Sequence, residues 1–402
     1  MSSANRIANR IRTLRLAHGY SQDDLVAQMG GVVTKAALSK YELGKSRPSA
    51  PVALRLANAL GVKAVELFSE PCYQVEFLAY RRRATMKVSE QNRVENWVEV
   101  QLQDRMKLQE RLEGSNGNGL GFRKYAVDSI EHVEEVAVKL RNDWDVGLDP
   151  IPNMTDLLES RRVHVLETEV SEKFDGLSAV VKNAKGVVIG AGVVCQAKLQ
   201  GERQRMNLAH ELGHLILDPV DSLDIETVAT RFAGALLIPA VVMFKELGRR
   251  RSYLPLEEML ILKRRYGVSI QAIVMRAAIL GIISQHIKTQ WFKQTSRLGW
   301  RKSEPESLPA EEAQRWKQLV TRGLAEQIIT PDEAGRYLSR NEIESIMSPS
   351  NSFNYQAYFA LPMEERRRIL NEQAKADGNL YSSDREAIEW LSQLEDEGGI
   401  DE

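Results

Sequence analysis

Apolar side chains recur every three to four residues along most of the chain, and that period predicts a mainly helical protein. Near the N-terminus Ile7, Ile11 and Leu14 fall on one helical face. Ser21 then precedes QDDLVAQM as an N-cap, with Asp24 placed to return the hydrogen bond of a capping box. Gly30-Gly31 ends that helix. A third helix runs from about Thr34 to Leu43 and stops at Gly44, and a fourth from about Ala50 to Leu60 and stops at Gly61. Two short helices joined by a tight turn in a small bundle are what a helix-turn-helix needs, its second helix turning an outer face to the major groove.

The middle of the chain changes character. YRRRATMKVSEQNRVENWVEVQLQDRMKLQERLE is charged and helically periodic, which predicts a helical stalk, and GSNGNGLG at 114–121 is a flexible break. Next come a helix before the DPIP turn, a second across TDLLES, and a strand. GLSAVVK and the β-branched GVVIGAGVV predict two more strands, followed by a helix carrying MNLAHELGHLILD. Three or so strands beside that helix make an α+β layer. Farther on, EEAQRWKQLVTRGLAEQIITPDEAGRYL predicts two packing helices with Thr330 capping the second, and SPSNS at 348–352 reads as a linker.

A length of 402 residues predicts two or three domains. No apolar run reaches the roughly 18 to 20 residues of a membrane span and no basic-plus-apolar signal segment opens the chain, so a cytoplasmic protein without a membrane partner is expected. Cys72 and Cys195 are far apart and form no CxxC pattern, which predicts two reduced, structural thiols. The net charge of −1 hides an asymmetry: ten basic against five acidic side chains in residues 1–70, five against twelve in residues 353–402. That distribution predicts an anionic partner for the N-terminal part and a tail that repels nucleic acid or attracts a basic protein.

The candidate chemistry sits in HELGH. His210 and His214 are four apart and share a helical face, with Glu211 beside the first. A catalytic zinc takes three protein ligands and leaves a fourth position for water, so a third donor is required. Glu226 heads the apolar helix of DIETVATRFAGALLIP and is the leading candidate; Asp224 reads as that helix's N-cap, and Asp218 is within approach. Asp218 could alternatively orient a ligating imidazole. Gly213 would let another backbone come close to the metal-bearing helix. For an oxyanion stabiliser, Arg205, Tyr266 and His164 remain open, whereas His18, His132 and His286 read as solvated or core histidines.

SQDDLVAQMGGVVTKAALSKYELGKSRPS followed by LRLANALGV resembles the Cro/CI-type domain of the XRE family over about residues 5–68. The resemblance implies that Thr34, Lys35, Ala36, Ser39 and Lys40 lie on the outer face of a recognition helix, with Gln22, Lys45 and Arg47 near phosphates. RQRMNLAHELGHLILD with ETVATRFAGALLIP resembles the ImmA/IrrE family of metallopeptidases, and the similarity continues through LRNDWDVGLDPIPNMTDLLE, FDGLSA and LKRRYGVSIQAIVMRAAILGIIS over about residues 75–345. It implies zinc held by His210, His214 and Glu226, the last lying six before Phe232, with Glu211 as catalytic base. ALPMEERRRILNEQA and the acidic end resemble the C-terminal segments of AbrB/MazE-like antitoxins.

The expected fold is mainly α with an α+β part. A five-helix Cro/CI-like bundle (1–70) leads into a helical stalk and linker (71–121). An α+β zincin-like metallopeptidase domain with a small sheet (122–300) follows, then a helical extension (301–347) and an acidic tail (348–402). The expected function is a dimeric regulator that binds double-stranded operator DNA and cleaves a regulatory protein, a toxin or itself when signalled. The competing expectation is a repressor or antitoxin whose peptidase-like domain serves as a sensor or scaffold without turnover.

Overall fold

The computed structural model describes residues 3–68, 73–82, 86–114, 122–171, 173–300, 303–347 and 361–368. The chain divides into two compact units, residues 1–337 and 338–402. Among its described residues the second unit holds a helix at Arg340–Met347 and a short helical turn over 363–368; the rest of the tail expected to resemble an antitoxin lies outside the described residues, as do Cys72 and most of GSNGNGLG.

The first unit begins with five helices: α1 (Ser3–Ala17), α2 (Gln22–Gln28), α3 (Lys35–Glu42), α4 (Ala50–Ala59) and α5 (Ala64–Phe68). Their core is Ile7, Ile11, Leu14, Leu25, Met29, Leu38, Leu56, Leu60 and Leu67. Ser21 and Asp24 form the capping box that starts α2, and the Thr34 hydroxyl accepts from the Ala37 N–H to start α3. Gly30 and Gly31, both at φ near +70°, make the turn between these helices at no steric cost. A buried ion pair locks the pair from behind: the Arg15 guanidinium donates to both Glu42 oxygens at 2.5 and 2.9 Å, and Gln22 adds a third donor at 2.9 Å.

Next come β1 (Tyr73–Arg82), α6 (Val88–Glu113), β2 (Tyr125–Val127), α7 (His132–Asp143), α8 (Met154–Ser160), β3 (Val163–Thr168), β4 (Phe174–Asn183) and β5 (Val188–Gln196). After them stand α9 (Gly201–Ile216), β6 (Leu217–Pro219), α10 (Ile225–Leu237), α11 (Ala240–Leu247), α12 (Leu256–Tyr266), α13 (Ile270–Ile279), α14 (Gln285–Arg297), α15 (Gln314–Ala325) and α16 (Pro331–Ala334). Four strands form one sheet in the order β1-β4-β5-β3, antiparallel except for β3 with β5, and β2 pairs β6 in parallel. The protein is thus mainly α with an α+β part. No single helix among the described residues is long and apolar enough to cross a membrane.

Residues 71–121 differ from the expected helical stalk. Tyr73–Arg82 is an edge strand of the sheet, and the charges of the neighbouring RRR had masked the strand-forming Tyr73, Val75, Phe77 and Tyr80. The following α6 does form, but it is packed rather than free. Its Val94, Val98, Leu102 and Met106 lie against Leu177, Ala179, Val181 and Val194 of the sheet. Glycines permit that closeness: a Cβ at Gly192 would stand 2.7 Å from Leu102, and one at Gly190 2.6 Å from the Met106 sulfur. The same helix meets α1, where Arg10 donates to the Gln103 side-chain Oε1 at 2.8 Å. One helix therefore carries both the bundle and the sheet.

The opposite sheet face is covered by α9, whose Leu208, Ala209, Leu212 and Ile216 join Val163, Val165 and Val193 in the main core with Phe232 and Leu236 of α10. A buried cation fastens the start of α9: the Lys263 ammonium lies 2.7 Å from Glu202 and 3.2 Å from Glu304, while Glu304 accepts from the N–H groups of Ile270 and Gln271.

Candidate metal centre

Residue spacing on α9 sets the first two donors of the site. His210 and His214 share a face, both nearly fully buried, with Nε2 atoms 3.1 Å apart. Glu226 completes the group from the first turn of α10, its Oε2 3.3 Å from the His210 Nε2 and its Oε1 3.3 Å from the His214 Nε2. Asp224 is the N-cap of that helix and accepts from the Thr227 N–H at 2.9 Å and the Thr227 hydroxyl at 2.6 Å. It is Glu226, therefore, that faces the imidazoles. Gly213 makes the crossing of the two helices tight, since a Cβ there would stand 3.1 Å from the Ala229 Cα.

These three donors fit a zinc ion. Tetrahedral ligands at the usual zinc distances lie about 3.3 Å from one another; the two Nε2 atoms are 3.1 Å apart, and each has one Glu226 oxygen at 3.3 Å, Oε2 for His210 and Oε1 for His214. The three residues form the only such group of histidine, cysteine and carboxylate donors found among the described residues. His210 Nδ1 lies 3.3 Å from the Thr230 hydroxyl, which can accept its proton and so leave Nε2 with a lone pair. Asp218, considered for ligation or for orienting an imidazole, lies exposed in β6.

Glu211 is 1% exposed and packs against β4. A Cβ at Gly176 would stand 2.1 Å from its Oε1, so the glycine makes room for the carboxylate. Neither Gly176 nor Thr230 stood out in the sequence; the one usable signal was a glycine at the start of a strand otherwise rich in larger residues. The Glu226 side chain is 48% exposed where both histidines are buried, so the open side of the centre is the Glu226 side. A cavity of about 430 Å³ lies there, lined by Ile130, Glu226, Thr227, Thr230, Arg231 and Ile279.

The three oxyanion candidates have other tasks. Arg205 is buried and donates to the carbonyls of Ile151 and Pro152 and to Glu311. The Tyr266 hydroxyl donates to Glu246 at 2.8 Å, and its pKa is pushed up to about 12 by burial and that carboxylate. His164 alternates with Val163 and Val165 along β3, which places it on the sheet face away from α9. Burial and the charges of Arg105 and Arg315 lower its pKa to about 3, so it is neutral. The Cys195 thiol is buried and shifted upward by desolvation, then by Glu167 and Glu211, which leaves it an inert core group.

On the N-terminal bundle, Thr34, Lys35, Ala36, Lys40, Lys45 and Arg47 are exposed, while Ser39 and Gln22 are half-buried. Two of these are already engaged: Thr34 caps α3 and Gln22 holds Glu42. Lys35 pairs with Asp23 at 2.6 Å, but both side chains are more than half exposed, so the pair is weak.

Residues 11–67 match the family model described as helix-turn-helix, and residues 177–278, which contain His210, Glu211, His214 and Glu226, match the IrrE N-terminal-like domain. The chain joins an XRE-type helix-turn-helix to an ImmA/IrrE-type domain of a metallopeptidase family. It is accordingly a DNA-binding regulator with a peptidase-family domain. No curated protein matches the chain. Among solved structures it is similar to the apo form of the competence regulator ComR from Streptococcus vestibularis, at 11% identity over 81% of this chain and 99% of that one. The TM-score of 0.16 is too low for that likeness to carry an argument.

Proposed function

We propose that this helix-turn-helix/ImmA-IrrE-type fusion is an operator-binding regulator whose second domain is a zinc-dependent endopeptidase acting on a regulatory protein or on the chain itself. The observation that carries the reading is the convergence of the two imidazole Nε2 atoms and the Glu226 carboxylate, with Glu211 buried beside them. A zinc ion held there would polarise a peptide carbonyl and bring the pKa of a bound water toward neutrality. Glu211 would take the proton of that water and deliver it to the departing amine. The wall of α9 and β4 excludes bulk water from one side, and the exposed flank of Glu226 admits the substrate. Fragments of the chain, or of a repressor supplied to it, are expected only with zinc present and Glu211 intact. Their absence with every substrate and signal tried would leave a regulator without an enzyme.

Gly176→Ala provides a further test of the catalytic geometry. Its methyl would displace the Glu211 carboxylate while leaving the three donors in place, so cleavage is expected to fall about 100-fold with metal content unchanged. Equal activity in the variant would mean that β4 does not position the base.

For the DNA half, Lys40→Ala is expected to weaken binding to a two-half-site promoter fragment by roughly tenfold, and affinity should fall steeply with added salt as phosphate contacts release counterions. Two half-sites call for a dimer, because one recognition helix reads few base pairs. Gel shifts at low salt with no retardation of the chain's own promoter would contradict this half of the reading.

A further inference from the structure

Residues 267–303 contain no aspartate or glutamate, although the whole chain has 55 among its 402 residues. Within this segment α13 and α14 line a cavity of about 390 Å³, α13 contributing Met275 and α14 one of its faces. On α14, Lys288, Phe292 and Ser296 follow one another at four-residue spacing, and Thr289, Lys293 and Arg297 form the adjacent row.

The lining is apolar and cationic together. Met275 is 39% exposed, and Phe292 is half-buried and packs on the main core. Lys293 and Arg297 are exposed and Lys288 is half-buried; among the described residues none of the three makes an ion pair. The one other Lys or Arg of the two helices, Arg276, is buried against Glu134. Three cations on one helix face, with no acidic residue on either helix, repel one another and attract an anionic partner. Met275 and Phe292 gain only from apolar side chains, which a nucleic acid or a small anion does not bring. A polypeptide with acidic residues beside apolar ones meets both demands, and a helix with apolar side chains at i, i+3, i+4 and i+7 presents them on one side.

We infer that the face formed by α13 and α14 is a docking site for an acidic amphipathic helix of a partner protein. The partner's apolar side chains lie on Met275 and Phe292, and its carboxylates meet Lys288, Lys293 and Arg297. Ile279, one helical turn after Met275, lines the cavity at Glu226, about 6 Å farther along α13. A regulatory protein held on α14 is thereby brought beside the open flank of the metal centre. That consequence rests on the peptidase reading, whereas the docking needs neither zinc nor turnover.

The test is fluorescence polarisation of the zinc-free full chain with a labelled synthetic peptide of about 16 residues, its leucines at i, i+3, i+4 and i+7 and glutamate and alanine elsewhere. Micromolar binding that weakens with added salt is expected, and a permuted peptide with the leucines scattered should bind at least about tenfold more weakly. Lys293→Glu combined with Arg297→Glu, at two exposed positions, should weaken the patterned peptide by a similar factor and bind its lysine-for-glutamate counterpart instead. Met275→Gln should weaken it roughly tenfold while leaving the salt dependence in place. The inference is overturned by no binding up to about 1 mM peptide, by equal binding of the permuted peptide, or by variants that bind as the wild type does. If the charge reversal lowers the affinity of duplex DNA but not of the peptide, the face belongs to nucleic acid and the inference likewise fails. None of these readouts involves cleavage, so a chain without turnover can pass and an active peptidase can fail.

Discussion

Replacing Glu211 by Gln is expected to slow peptide cleavage by about 100- to 10,000-fold while leaving bound zinc at the wild-type amount. The two readouts separate because Glu211 is not one of the three converging donors, whereas its carboxylate is buried beside them and held against Gly176. Glutamine has the same shape, so the packing with β4 survives and only the capacity to take a proton is lost. Cleavage rates and elemental analysis on one preparation settle the matter. A variant that cleaves as fast as the wild type would point to another base or to a contaminating protease, and one that loses its zinc would make Glu211 a ligand.

Lys263→Ala is expected to destabilise the first unit by about 3 to 5 kcal/mol. Its ammonium is fully buried between Glu202 and Glu304, so its removal leaves two carboxylates desolvated and facing each other without a cation. Glu304 also caps α13, and Glu202 accepts from the Leu308 N–H, so the damage would reach the start of α9. The neighbouring Arg264–Glu306 pair is shorter than 3 Å but half exposed, and Arg264→Ala is expected to cost no more than about 1 kcal/mol. Urea unfolding of the two variants compares them directly; equal losses would show that burial does not decide the strength of these pairs.

The contrast between local and cross-chain signals explains what the sequence could reveal. The turn between α2 and α3 is encoded locally, in Ser21, Asp24, Gly30, Gly31 and Thr34, and each takes its expected backbone role. The relation of His210 to His214 follows from helical spacing, and Asp224 as an N-cap directs attention to Glu226 within the first turn of α10. Tyr73–Arg82 was hidden because a strand that supplies a sheet edge needs partners far along the chain, from Phe174 to Asn183, while its charges and the period of α6 spoke for a helix. Gly176 and Thr230 act on residues of other elements, so no spacing in the sequence connects them to the site. The roles of Arg205 and Tyr266 were obscured for the same reason: their partners Glu311 and Glu246 come from elsewhere in the chain.

The most direct measurement is the zinc content of the full chain after reconstitution and removal of excess metal, compared with His210→Ala and His214→Ala. Two imidazoles and a carboxylate gathered within 4.8 Å of one another should hold about one zinc per wild-type chain and essentially none in either variant. Wild-type protein without zinc, or variants that keep it, would contradict the account.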